Sequence, residues 1–291
     1  MELSEQSTAL RRDGYCVVPG VLDPAMLGRV RGLAGEALAT ITAEHRAAHR
    51  SQGSLVQVAD FPGFAALIAW PATLTALAGL GLTDVRYSSG YVISKPPRSP
   101  ALFWHQDWWG WEDDVSYTDT ICQVFLFYYL SDTTPENGCL RVLPGSHRRR
   151  HALHDLLDAH DERLGRVDDP DDVAYGGAAG EVAVPVNAGD VVVGDARVLH
   201  GSYANASDVE RTLITLWYHH AFSAQSASLQ NRVYQAFCRE AIDTDAPDGD
   251  AERLTLDRWP EPARAQVAPL FPIPTVEAPP EPWVRTPARL R

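Results

Sequence analysis

The stretch Trp104-His105-Gln106-Asp107 sets an imidazole and a carboxylate two residues apart. On a β-strand, residues two apart project from one face, so both side chains can reach a single metal ion. A third ligand has to come from elsewhere, and His200 is the best candidate. It follows Gly189-Asp190-Val191-Val192-Val193, a turn and a strand, and so lies at the mouth of another β segment. Two histidines and one carboxylate on one face of an octahedron are the donor set of non-haem Fe(II) oxygenases. Three positions stay open, enough for a bidentate cosubstrate and O2. A structural zinc site would close its tetrahedron with protein ligands, preferably thiolates.

Alone, an HxD pair reads as a surface histidine beside an acid. The residues after His200 change that balance. Arg211 lies 11 positions further on, in the next predicted strand, and a buried arginine can clamp a carboxylate with two parallel hydrogen bonds. Ser202 is two residues past His200 on the same face, a hydroxyl donor for the same carboxylate.

These groups need elements to hold them. The N-terminal third reads as helical with a leading strand: Tyr15 to Val18 is a short apolar run stopped by Pro19-Gly20, and Asp23-Pro24 then supplies a helix N-cap with proline at the first helical position. Met26, Leu27, Val30, Leu33, Ala34, Ala37 and Leu38 follow at helical spacing. Another helix opens at Pro71 and stops near Gly79 or Gly81. From Val85 the texture becomes short β-rich runs between turns: 85–94, 120–130, 140–143, 182–186, 191–193 and 212–218. Many short strands with turn punctuation predict an all-β sandwich or barrel, and no βαβ rhythm supports a Rossmann sheet. Residues 148–180 interrupt the strands with a polar stretch, read as a lid insertion with a short helix around 153–164. A helix over 226–242 and a proline-rich tail follow.

Taken in order, several short motifs resemble the phytanoyl-CoA dioxygenase-like (PhyH) family. They are Asp13-Gly14-Tyr15 with the Asp23-Pro24 helix, Lys95-Pro96-Pro97, Trp104-His105-Gln106-Asp107, Thr134-Pro135-Glu136-Asn137-Gly138, Pro144-Gly145-Ser146-His147, and His200-Gly201-Ser202 with Asn205 and Arg211. The resemblance runs from about Asp13 to Tyr218. It implies a mainly β chain with flanking helices, built on a double-stranded β-helix (a cupin-like jelly roll). It implies one domain over 1–291: helices in 1–84, a jelly-roll core at about 85–220, the lid at about 148–180, and a helix and tail at 224–291. His105, Asp107 and His200 are then Fe(II) ligands, and Arg211 with Ser202 holds the far carboxylate of 2-oxoglutarate. Tyr91 and Phe127 match positions lining the cosubstrate pocket, although the family usually has tryptophan where Phe127 stands. The implied activity spends O2 and 2-oxoglutarate, releases succinate and CO2, and hydroxylates a small molecule. Desaturation, epimerisation or ring closure would use the same iron. Related halogenases have glycine or alanine where Asp107 stands, so chlorination is not expected.

Trp108, Trp109 and Trp111 follow the HxD motif directly and suit an aromatic wall for a flat or apolar substrate, with Tyr129 on the same face as Phe127. Packing of that loop against the barrel is the competing reading for each tryptophan. His151, His154 and His160 read as exposed lid residues, and at most one of His219 and His220 faces the cavity.

The 291-residue chain carries a formal net charge of −13, which argues against nucleic acid as a partner. Its start lacks the basic and apolar regions of a signal peptide, and no apolar run reads as long enough to span a bilayer, so a cytoplasmic protein is expected. The four cysteines are scattered without a CxxC, as buried free thiols would be. Arginine supplies 24 of the 25 basic residues and Lys95 the remaining one; that bias suggests a GC-rich bacterial genome and, with the tryptophans, a secondary-metabolite type of substrate. Lys95 is either a chance surface lysine or a point charge that arginine cannot replace. A jelly roll that binds without turnover is disfavoured, because a mere binder has no need of the Arg211 clamp. A metallohydrolase would need a general base beside its metal water, and none is marked.

Overall fold

The computed structural model describes residues 3–156, 161–237, 259–275 and 290. In chain order the elements are α1 (Leu3–Asp13), β1 (Tyr15–Val18), α2 (Pro24–Leu38), α3 (Ala43–Ala48), β2 (Val56–Gln57), α4 (Ala65–Ile68), α5 (Pro71–Gly79), β3 (Arg86–Lys95), β4 (Leu102–His105), β5 (Gln123–Tyr129), β6 (Leu140–Val142), α6 (Glu162–Arg166), β7 (Val182–Val184), β8 (Val191–Asp195), β9 (His200–Ser202), β10 (Arg211–His219), α7 (Ala227–Phe237) and α8 (Ala263–Val267). The strands form a six-stranded sheet, β1-β8-β5-β10-β3-β2, and a four-stranded sheet, β4-β9-β6-β7. Every pairing is antiparallel. This is the jelly roll that the resemblance implied.

Alternation along β10 shows how the large sheet is used. Ile214, Leu216 and Tyr218 pack outward, with α2, α4 and α5, in the main core. Leu213 and Trp217 turn inward, against Phe125, Phe127, Tyr129, Leu140, Val142 and Val198 between the sheets. Both faces of the sheet are covered, so all seven residues of β5 are buried. That explains why the 120–130 stretch shows a continuous β-rich run rather than polar alternation.

The N-terminal third is helical with the leading strand expected at Tyr15–Val18, and a second short strand, β2, joins it in the large sheet. β1 extends the large sheet along β8, and β2 extends it along β3, so the jelly roll reaches well before residue 85. The Asp23 carboxylate caps α2 by accepting from the Met26 N–H at 2.7 Å. The stretch Pro62–Gly79 has 18 residues and a mean hydropathy of 1.3, enough for a membrane span by length and composition. It is instead broken into a 3-10 turn, α4 and α5, with Pro71 opening α5, and it buries Phe64, Leu67, Ile68 and Leu77 in the core.

The 148–180 insertion is ordered where described, with 3-10 turns at Ala152–Asp155 and Val173–Tyr175 around α6. Its His154 is buried rather than exposed, because its Nε2 pairs with the Ser146 carbonyl at 3.1 Å; His160 lies outside the described residues. Arg141 ties the insertion down: its guanidinium donates to the carbonyls of Tyr175 and Gly176 and to that of Leu102 on β4. At the C-terminal end the tail is partly built in, since Trp259, Val267, Leu270 and Phe271 join the main core. The helix expected over 226–242 is seen as α7, and its later residues lie outside the described ones.

Motifs far apart in sequence meet in space. The Gly145 N–H donates to Asp13 O at 2.8 Å, and the Ser146 hydroxyl accepts from the N–H of Leu199, the residue before His200. Gly14 has φ +87°, and a Cβ there would lie 2.7 Å from His147 Nδ1, so only glycine fits. The buried Asn205 amide donates to the carbonyls of Lys95, Pro96 and Val209. These motif residues therefore hold the frame together; none of them meets the triad directly.

Candidate metal centre

β4 ends at His105 and β9 begins at His200, and the antiparallel register pairs these two residues. Their rings lie 4.2 Å apart, centroid to centroid. Each imidazole is fixed from behind: His105 Nδ1 pairs with Phe103 O at 3.0 Å, and His200 Nδ1 with Val198 O at 3.1 Å. A neutral ring donating from Nδ1 leaves the Nε2 lone pair to ligate, the usual outer-shell arrangement of a metal histidine.

Asp107 reaches the same point by another route than strand alternation. β4 has already ended, and Asp107 sits in the following turn, where its N–H and that of Trp108 both donate to Ala196 O at 2.9 Å. The two-residue spacing brings it beside His105 because of this anchor, and not because both share a strand face. Its Oδ1 lies 3.5 Å from His105 Nε2 and its Oδ2 3.6 Å from His200 Nε2. One ligand atom from each of the three residues falls within 4.8 Å of the others. Ligand atoms on adjacent corners of an octahedron with bonds of about 2.1 Å stand about 3 Å apart, so the set closes on one ion with small side-chain adjustments. Burial, then the neighbouring His105, pushes His200 down to about 4, with Asp107 acting in the opposite direction. It is thus neutral near pH 7, the state in which an imidazole can ligate a metal. The rings of Phe125 and Phe127, 4.7 and 5.7 Å from His200, form an apolar wall behind it.

Deeper between the sheets lies a cationic recess. Arg211 is 2% exposed, and its Nε and Nη1 have no hydrogen-bond partner among the described residues. The Ser202 hydroxyl is buried and equally unpartnered. So is that of Thr215, which shares the inward face of β10 with Arg211 and which the sequence did not single out. Leaving such groups unpaired costs about 1–3 kcal/mol each, more for charges. The two free Arg211 nitrogens could take an anionic ligand carboxylate. Tyr129, expected in the substrate pocket, is instead buried against Arg211, with its ring 5.8 Å from the guanidinium carbon. It belongs to this recess because its strand position is level with Leu213, not with Trp217.

Lys95 is no surface survivor. It is 1% exposed, pairs with Arg211 in the β3–β10 register, and donates from Nζ to the carbonyls of Ser51 and Pro100. Burial, and after it the charges of Arg211 and Arg141, hold its pKa well below the ordinary lysine value.

The tryptophan loop divides. Trp108 and Trp111 are 1% and 3% exposed and pack with Cys122, Phe222, Leu229 and Val233, so they are core residues that join the loop to α7. They offer no open wall, because this apolar cluster absorbs both indoles. Trp109 alone of the three is exposed, at 36%. The loop is latched to α7 by an Arg232–Glu112 ion pair and by the Ser226 hydroxyl donating to Asp113. Beneath it, the buried Arg197 pairs with Asp195 at 2.6 Å and donates to the carbonyls of Ser116 and Thr118. Asp-Ala-Arg in a sequence looks like an ordinary charged turn, and nothing in its spacing betrays this burial. His219 faces inward but is fully buried beside Trp108 and Gln123, while His220 pairs with Thr83 O.

The phytanoyl-CoA dioxygenase (PhyH) family model matches residues 10–213. The chain belongs to this family. Among curated relatives, the ectoine dioxygenase of Sphingopyxis alaskensis is 26% identical over 74% of this chain and 75% of its own length. Phytanoyl-CoA dioxygenase 1 of Oryza sativa is 30% identical over 44% of this chain and 42% of its own length, so the likeness spans under half of that protein. Among solved structures, HygX from Streptomyces hygroscopicus, with nickel and 2-oxoglutarate bound, superposes with a TM-score of 0.56 at 22% identity, covering 75% of this chain and 87% of that one. The epimerase SnoN from nogalamycin biosynthesis gives a TM-score of 0.54 at 22% identity, covering 75% of this chain and 83% of that one. At these identities the superpositions speak for the fold, and the family match speaks for the chemistry. This PhyH-family chain is an Fe(II)- and 2-oxoglutarate-dependent oxygenase.

Proposed function

We propose that this PhyH-family enzyme hydroxylates a small molecule of secondary-metabolite type inside the cell, working as one domain around the His105–Asp107–His200 centre. The observation that carries the reading is the pairing of that triad with a buried Arg211, whose Nε and Nη1 lack partners among the described residues, and an equally unpartnered Ser202 hydroxyl between the same two sheets. His105, Asp107 and His200 would hold iron on three sides. Arg211 would clamp the far carboxylate of 2-oxoglutarate, with Ser202 donating to it and Tyr91 and Phe127 flanking its carbon chain. Bound there, the iron supplies O2 activation coupled to oxidative decarboxylation of 2-oxoglutarate to succinate and CO2. The apolar ring wall of Phe125 and Phe127 keeps water from the back of His200. Trp109, exposed two residues after Asp107, would be available to an apolar or flat substrate. The buried free thiols Cys16, Cys122 and Cys139 support an intracellular, cytoplasmic setting.

Relatives support the small-molecule reading: ectoine dioxygenases and a probable hypophosphite dioxygenase from Stutzerimonas stutzeri take their names from small substrates. The solved epimerase SnoN and carbocyclase SnoK favour a second outcome at the same centre, epimerisation or ring closure.

Under anaerobic conditions, Fe(II) plus 2-oxoglutarate should give a weak visible charge-transfer band, and air should then release succinate. Asp107→Ala should abolish hydroxylation. With metal loaded, absence of band and succinate would sink the reading. Once a substrate is found, an 18O2 label retained in the product marks hydroxylation, and an unlabelled, isomerised or cyclised product marks the second outcome.

A further inference from the structure

We propose that Trp217 is a positioning residue that presents the Asp107 carboxylate to the metal through a single oxygen. The inference rests on the triad reading above and adds to it a residue from the opposite sheet. The Trp217 indole Nε1–H donates to Asp107 Oδ2 at 2.9 Å. That bond ties Oδ2, itself 3.6 Å from His200 Nε2, to the indole, and so assigns ligation to Oδ1, 3.5 Å from His105 Nε2. Single-oxygen ligation keeps three coordination positions available for cosubstrate and O2.

The fold aims this indole at the site. In the β3–β10 register Trp217 pairs with Ser89, and a bulge falls between Trp217 and Tyr218. The extra residue of that bulge, Ser88, lies on β3, so it is the alternation along β10, unbroken against β5 from Leu213 onward, that turns Trp217 inward. Tyr91 meets the indole edge-on, with centroids 5.8 Å apart at 79°, and so fixes the ring plane. The chemistry of the group matters as much as its direction. Indole N–H donates and does not accept, so Trp217 cannot itself become a fourth protein ligand, as a histidine there would. Nor does it titrate, so the hydrogen bond holds across the working pH range. The substitution Trp217→Phe keeps an aromatic ring at this position and removes the donor.

The test is an anaerobic Co(II) titration of the metal-free protein, read by its visible bands, together with the thermal midpoint of the same metal-free sample. W217F should bind Co(II) 10- to 100-fold more weakly, the usual loss when a partner of a metal ligand is removed. Its 2-oxoglutarate affinity in the Co(II) form should fall as well. An unchanged Co(II) affinity with a lowered midpoint would make Trp217 a packing residue and overturn the proposal. The wild-type protein and H200A separate this from failure of the centre itself, since wild type must bind one Co(II) and H200A must lose it. Should W217F not fold, indole N–H resonances of 15N-tryptophan-labelled metal-free protein decide. In Asp107→Ala one indole should lose its hydrogen-bonded shift and its protection from exchange with solvent. If none does, the proposal falls.

Discussion

Replacing Arg211 with methionine should move two observables in opposite directions. In the metal- and cosubstrate-free protein, the Arg211 charge is buried with two nitrogens unpartnered, and burial lowers its pKa. Among the described residues it has no ion pair; Tyr129 and Lys95 are its neighbours. Swapping buried charge for an apolar side chain of similar length is commonly neutral or stabilising by about 1–4 kcal/mol. The free protein's thermal midpoint should therefore hold or rise by a few degrees. Binding of 2-oxoglutarate should collapse. Two charge-assisted hydrogen bonds at about 1.5–3 kcal/mol each amount to about 3–6 kcal/mol, or a Kd weakened by about 10²- to 10⁴-fold. Calorimetric unfolding of the free protein and anaerobic titration of the Mn(II)-loaded protein with 2-oxoglutarate measure the two quantities. A lower midpoint with an unchanged Kd would refute the reasoning, since it would make Arg211 a structural cation whose partner lies within the chain.

Two further outcomes follow from buried groups away from the recess. Asp195→Ala should destabilise by about 3–5 kcal/mol in urea unfolding, because it strands the buried Arg197, and adding Arg197→Met should recover much of that; a cost below about 1 kcal/mol would show the pair to be dispensable. Burial holds His219 at about 3, below its ordinary 6.5, with Gln123, Trp108 and Phe222 around it. The unfolded chain takes up a proton below about 6.5 while the native state does not, so His219 makes stability fall as pH drops from 6.5 toward 3. His219→Phe should remove about 2 kcal/mol of the stability lost between pH 7 and 5, and an identical pH dependence in the variant would contradict the assignment.

How much of this was legible beforehand depends on whether a residue's role is local. The strands of the large sheet were visible because β-branched and aromatic residues cluster where both faces are buried. β4 and β9 are four and three residues long and carry little pattern of their own, so only the motif pointed to them. His105, Asp107, His200 and Arg211 were readable by type and order. The reason given for Asp107 was not the operative one, since a carbonyl from Ala196 places it, and that carbonyl is 89 residues away. Trp217 was invisible: a tryptophan inside a β run reads as core until the register shows its indole facing a carboxylate. Trp108 and Trp111 misled for the same reason in reverse, because their proximity to Asp107 in sequence suggested the pocket while α7 took them into the core. Lys95 and Thr215 likewise acquire meaning only across strands.

The latch between the tryptophan loop and α7 divides the molecule by replaceability. The ligands and the cationic recess are held by backbone pairing and by Ala196, none of which involves α7. The loop's outer face hangs on Arg232–Glu112, Ser226–Asp113 and the shared Trp108–Phe222–Leu229 packing. Loop and helix thus form one exchangeable cassette, and altering either half alone breaks the seam between them. Engineering a new specificity would mean transplanting residues 108–118 together with α7, leaving the iron chemistry underneath as a constant platform.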